Sequence, residues 1–134
     1  MTVKKQLSPS DFFTVPAASE GRKLFLALPD GSETDQYLTV LGIDSPAAQQ
    51  ALKHASQIIR DAAETGDSKA QSTDIGERAD LMFRASLVIG WSFEAKCSPD
   101  AVAELLRNNP QLAIAVEQFA ADRRRFYGGK PARS

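Results

Sequence analysis

Beyond residue 22, a side chain that accepts a hydrogen bond stands directly before a proline three times: Ser45-Pro46, Ser98-Pro99 and Asn109-Pro110. Ser and Asn are preferred N-caps because their side-chain oxygen takes one of the orphan N–H groups of the first turn. Proline suits the first helical position, where its missing N–H costs nothing. Three such pairs therefore mark three helix starts. After Ser45-Pro46, apolar residues recur at Ala48, Leu52, Ala55, Ile59 and Ala62, the four-and-three spacing of one helix face, and Gly66 is a natural stop. After Ser98-Pro99 a short helix carries Val102, Leu105 and Leu106. Asn109-Pro110 ends it and starts another, with Leu112, Val116, Phe119, Arg123 and Phe126 on its face.

Between these lies a further helical pattern. Asp74 with Glu77 three residues on fits a capping box, and Ile75, Ala79, Met82, Ser86 and Ile89 form a face. From Leu81 to Trp91 apolar residues occupy nearly every side, which predicts a central helix packed all round. The stretch from Asp67 to Thr73 has no periodicity and reads as a surface loop. Upstream, Lys23–Leu28 and Thr34–Leu41 have strand length and composition, and Pro29-Asp30-Gly31-Ser32 between them is a turn signal. A two-stranded hairpin is marginal alone and must lie on an apolar surface. The expected fold class is thus mainly α with a small N-terminal β-hairpin (α+β), about four helices around a buried central helix. Residues 1–22 are expected to be an irregular lead-in, with Phe12, Phe13 and Val15 as its anchor. Residues 23–127 form a single helical domain with the N-terminal hairpin, and 128–134, beginning Gly128-Gly129, form a flexible tail.

Composition narrows the function. Of 134 residues 43% are hydrophobic and 25% charged, values of a soluble globular chain rather than a disordered one. Lys plus Arg is 16 against 17 Asp plus Glu, a balance unsuited to a protein built chiefly to grip phosphates. The N-terminus has no apolar region of signal-peptide type, and Leu81–Trp91 is too short to span a bilayer, so a cytosolic protein is expected. One Cys and one His exclude a disulfide framework and leave little for a structural zinc site.

No catalytic constellation emerges. Cys97 before a helix start and His54 are the one nucleophile–base pairing to weigh; they read instead as a half-buried thiol at a loop and an imidazole on a solvated helix edge. The carboxylates Asp61, Glu64, Asp67, Asp74, Glu77 and Asp80 lack the spacing of a calcium loop, and no phosphate-binding glycine pattern occurs. The protein is read as no enzyme, with no cofactor or metal. Arg123-Arg124-Arg125, with Lys130, Arg133 and the aromatics Phe126 and Tyr127, is the nucleic-acid candidate. The same cations complement a helix C-terminus, and Phe126 continues the apolar face. Trp91 fits either a core anchor or a recognition residue.

From Leu87 onward the order of features resembles the tail assembly chaperones of long-tailed bacteriophages. The matching residues are Leu87-Val88-Ile89-Gly90-Trp91, Cys97-Ser98-Pro99-Asp100, Leu105-Leu106, Asn109-Pro110-Gln111-Leu112, and a closing helix with Val116, Phe119 and Asp122-Arg123. Leu28-Pro29-Asp30-Gly31 and Ile43-Asp44-Ser45 are similar less specifically. The resemblance implies a non-enzymatic chaperone, of phage or prophage origin. It would bind the tape-measure protein, a long, largely helical and apolar chain, and keep it soluble in the host cytoplasm while tail-tube subunits polymerise around it. Many members also occur in a longer form made by ribosomal frameshifting. Tail-tube subunits and further copies of the chain are additional partners on this reading, whereas a membrane is not. Chaperones of this kind leave the mature virion, so the interface is expected to be reversible and only partly apolar. Partner contact is placed on the exposed edge of the Ser45–Glu64 helix and at the Arg123–Tyr127 end, with Trp91, Arg123, Arg124, Phe126 and Tyr127 as candidate residues. The alternative is a small regulatory domain that binds nucleic acid through Arg123–Arg125.

Overall fold

All three cap–proline pairs start helices. Ser45 Oγ accepts the Ala48 N–H (3.1 Å), Ser98 Oγ that of Ala101 (3.1 Å), and Asn109 Oδ1 that of Leu112 (3.3 Å). The computed structural model describes residues 6–64 and 69–127. Its elements run α1 (Val15–Glu20), β1 (Arg22–Ala27), β2 (Glu33–Val40), α2 (Pro46–Glu64), α3 (Lys69–Ser86), β3 (Val88–Trp91), α4 (Pro99–Arg107) and α5 (Pro110–Ala121), with 3-10 turns at Pro9–Phe12 and Arg123–Phe126. The architecture is α+β: five helices and a three-stranded antiparallel sheet among the described residues.

The sheet departs from a bare hairpin. Its order is β1-β2-β3, with Leu24 opposite Leu38, Phe25 opposite Tyr37, and Leu38 opposite Trp91 on the other side. The turn between β1 and β2 closes through Gly31 N–H to Leu28 O (2.7 Å) and Leu28 N–H to Ser32 O (2.8 Å), with Gly31 at φ +92°. That positive φ is cheap only for glycine. Strand β3 comes from residues expected to be helical. The apolar run Leu81–Trp91 is divided: the helix ends at Ser86, whose hydroxyl donates back to Met82 O (2.8 Å), and Val88–Trp91 pairs with β2. The expected central helix packed all round is therefore replaced by a helix, α3, with Ala79, Phe83 and Ala85 buried and Met82 exposed. A short apolar run suits a buried strand as well as a buried helix, and the unpaired outer edge of β2 supplies a partner for the strand.

Three further expectations are corrected. Helix α3 begins at Lys69, inside the stretch expected to be loop. Residues 67 and 68 of that stretch lie outside the described residues, as does the tail 128–134. The lead-in contains α1, and its buried side chains are Ala17 and Ala18, while Phe12, Phe13 and Val15 stand exposed. On α2 the buried stripe is Ala48, Ala55 and Ala62, flanked by the half-buried Ala51 and Ile58; Leu52 and Ile59 face outward. Small alanines let α3 lie close against α2.

One core joins these parts. Leu38 and Val40 of β2, Leu87, Leu106, Val116 and Phe126 are essentially inaccessible. Phe126 stacks edge-on against Phe119 at 5.8 Å between centroids. The link Leu41–Ile43 ties the pieces through its backbone: Leu41 N–H donates to Leu87 O (2.8 Å), Gly42 N–H to Ala18 O (3.0 Å) and Ile43 N–H to Ala120 O (2.8 Å). No helix of the described residues is long and apolar enough to cross a membrane.

Candidate functional site

The C-terminal arginines are held by carboxylates of the same chain. Arg123 donates from Nε and Nη2 to the two oxygens of Asp44 (2.8 and 2.9 Å), and the Thr14 hydroxyl donates to the same carboxylate (2.7 Å). These hydrogen bonds, Arg123 first and Thr14 second, hold the Asp44 carboxyl below the ordinary range. Arg124 and Arg125 flank Asp122 at 3.3 and 3.4 Å, and Arg125 lies 4.8 Å from the Phe119 ring centroid. The Arg124 hydrogen bond, with the charges of both arginines, lowers the Asp122 pKa. Arg123 thus clamps the chain entering α2 to the start of α1 and the end of α5. Tyr127 is half exposed and donates its hydroxyl to the Asp11 carbonyl, stapling the lead-in.

The other candidates divide between core and surface. Phe126 is 1% exposed and offers no face to a partner; its place on the apolar face of the helical pattern was the signal for this. Trp91 is half buried on β3, its indole N–H donating to Ala95 O (2.7 Å) and its ring set edge-on to Phe93 at 5.1 Å. It anchors the β3–α4 link and presents one flank beside Phe93 and Leu105. Of the five residues, Arg123, Arg124 and Tyr127 gather at one end of the molecule near α1, and Trp91 belongs to the sheet.

Burial pushes the Cys97 thiol up, the reverse of what a nucleophile needs, and His54 is exposed on α2. Among the described residues no group of three or more His, Cys, Asp or Glu is placed to hold a metal ion.

What sequence reasoning missed is a groove of about 740 Å³. One wall is β1 and the turn after it (Leu24 to Pro29), the other is the end of α4 and start of α5 (Leu105, Leu112, Ala115), and Phe93 lies between. Its lining is mostly aliphatic, with Thr34, Gln36, Asn109 and Gln111 as its polar groups. A signal existed in the sequence: Leu24-Phe25-Leu26-Ala27-Leu28 is apolar on both faces, more than a half-solvated strand requires. A second, shallower groove of about 370 Å³ follows the α2–α3 seam along Ile58, Ile75, Ala79 and Met82. The same helices leave Leu52 (41%), Ile59 (44%) and Met82 (46%) exposed; Met82 lines this groove, whereas Leu52 and Ile59 do not. Both grooves can exclude water from an apolar ligand surface; no ionisable side chain lines the first, and Asp61 and Arg78 line the second. No protein-family model, no curated protein and no solved structure matches this chain.

Proposed function

We propose that this chain is a non-enzymatic assembly chaperone of a long-tailed phage or prophage, binding the tape-measure protein and keeping it soluble in the host cytoplasm until tail-tube subunits enclose it. The observation that supports the reading most is the outward apolar pair on α2. Leu52 and Ile59 are seven residues apart, two helical turns on one side of α2, and each is more than two-fifths exposed. Such a pair suits the apolar face of another helix. Its modest size suits release, because reversible interfaces are smaller and less apolar than permanent ones. The resemblance of the Leu87–Phe126 stretch to the chaperone family points to the same partner.

Co-expression tests the proposal. The product of a neighbouring long, helical reading frame is expected to move from the insoluble to the soluble fraction, and to co-purify, when this chain is present. An unchanged soluble fraction contradicts it.

A further inference from the structure

Strand β1 ends the sheet, and the hydrogen bonds of β2 show which of its backbone groups are unused. Tyr37 directs both its groups toward β3: its N–H donates to Ser92 Oγ (2.8 Å) and its C=O accepts from the Ser92 N–H (3.0 Å). Leu41 N–H likewise goes to Leu87 O. Because successive residues of an antiparallel strand turn their N–H and C=O to opposite sides, Leu38 and Val40 face β1. They bond their partners Leu24 and Arg22. On β1 the alternation continues, since Leu26 O accepts from Thr34 Oγ1 (2.7 Å) and Leu28 N–H donates to Ser32 O. Lys23, Phe25 and Ala27 therefore turn three N–H and three C=O groups away from the sheet.

Native proteins shield such edges with charge or inward-pointing ionic groups. Here the shielding stops early. Arg22 points inward and is 4% exposed, and Lys23 carries its amine over the Tyr37 ring at 4.6 Å. From Leu24 to Leu28 no charge follows, and this stretch is the wall of the 740 Å³ groove.

We propose that the outer edge of β1, with the groove beneath it, takes an extended segment of a partner protein as a fourth strand. That segment carries apolar residues at every second position and Lys or Arg at the end lying beside the Pro29–Ser32 turn. Backbone groups spaced along an edge demand another extended backbone, while the groove takes the alternate side chains. Charge sets the polarity: Asp30, Glu33 and Asp35 cluster at the turn end, exposed, and no Lys or Arg occurs between Leu24 and Gln36. A second copy of this chain fits less well. A six-residue strand is about 20 Å long, so pairing β1 with itself covers roughly 200 Å² per copy at a sheet thickness of about 10 Å. A stable interface needs about 800 Å² per partner, and self-pairing leaves both grooves unfilled. The inference rests on the reading that this protein works by binding another, not on which protein that is.

The test uses two labelled ten-residue peptides, alternating Val and Thr with two lysines at the N-terminal or the C-terminal end, titrated with the full chain by fluorescence anisotropy. One is expected to bind. N-methylating its backbone at the alternate positions that face β1 lowers affinity at least tenfold. Ala27→Pro does the same, since the lost N–H points outward and no sheet hydrogen bond is removed. Glu33→Lys with Asp35→Lys shifts preference to the matching peptide with glutamates, a test that stands even if Ala27→Pro disturbs folding. Binding by neither peptide at millimolar concentration overturns the proposal, as does binding indifferent to N-methylation. Tighter binding of a helical peptide of equal apolar content overturns it too. So does a dimer of the free chain that Ala27→Pro dissociates, which assigns the edge to a second copy. Failure here leaves the co-expression result untouched, because that result depends on the α2 face.

Discussion

Among the described glycines, Gly42 has the least room. A Cβ at this position would lie 2.6 Å from Ala18 Cβ, 2.9 Å from Phe126 Cγ and 3.0 Å from Ala18 Cα. Its N–H already holds α1 through Ala18 O. Two of the three obstructing atoms are the Ala18 Cα and the ring carbon of a fully buried phenylalanine, so relief requires α1 or the closing turn to move. Overpacking a dense core by one methyl costs about 1–3 kcal/mol. At about 4 °C per kcal/mol for a domain of this size, Gly42→Ala is expected to lower Tm by roughly 4–12 °C in calorimetry. The double variant Gly42→Ala/Ala18→Gly removes the nearest atom but not the other two. Its loss should therefore fall short of the sum of the single losses by at least about 0.5 kcal/mol, the coupling expected of touching residues. A Gly42→Ala protein as stable as the parent, or strictly additive losses, refutes the packing argument.

Three further outcomes follow from named contacts. Folding lowers the Asp44 pKa, so the stabilisation it contributes is present above its unfolded value and disappears as pH falls below about 4; stability of Asp44→Asn in denaturant titrations from pH 6 to 3 should decline less steeply than the parent's. Ser45→Ala removes a buried 3.1 Å cap and is expected to cost about 1–2 kcal/mol, more than Asn109→Ala with its 3.3 Å cap, and the order of the two denaturation midpoints checks this. With its thiol pKa raised by burial, Cys97 should be alkylated by iodoacetamide at pH 7.5 more slowly than free cysteine, and faster alkylation contradicts its placement.

What was legible in the sequence is local. Caps satisfy the first turn from within three residues, so Ser45, Ser98 and Asn109 mark α2, α4 and α5 without knowledge of the rest. Strands β1 and β2 begin and end one residue before the expected bounds. Pairing partners and helix faces are non-local. Val88–Trp91 is a strand because β2 offers it an edge 50 residues upstream, which no window over 81–91 contains. On α2, Leu52 and Ile59 fit a helical stripe as well as Ala51 and Ile58 do; the close approach of α3 selects the alanine-rich side. The groove unites β1 with α4 and α5, more than 75 residues apart in the chain. Trp91 and Phe126 were open between core and partner for the same reason, and the structure places Phe126 wholly inside.

The most direct test of the proposed chaperone role is light scattering during dilution of a denatured tape-measure protein. One molar equivalent of this chain is expected to suppress the scattering, and Leu52→Asp/Ile59→Asp, which alters half-exposed side chains and should leave a cooperative unfolding transition, is expected to abolish that suppression. Scattering that rises equally with and without the chain, or suppression that the double variant retains in full, contradicts the account.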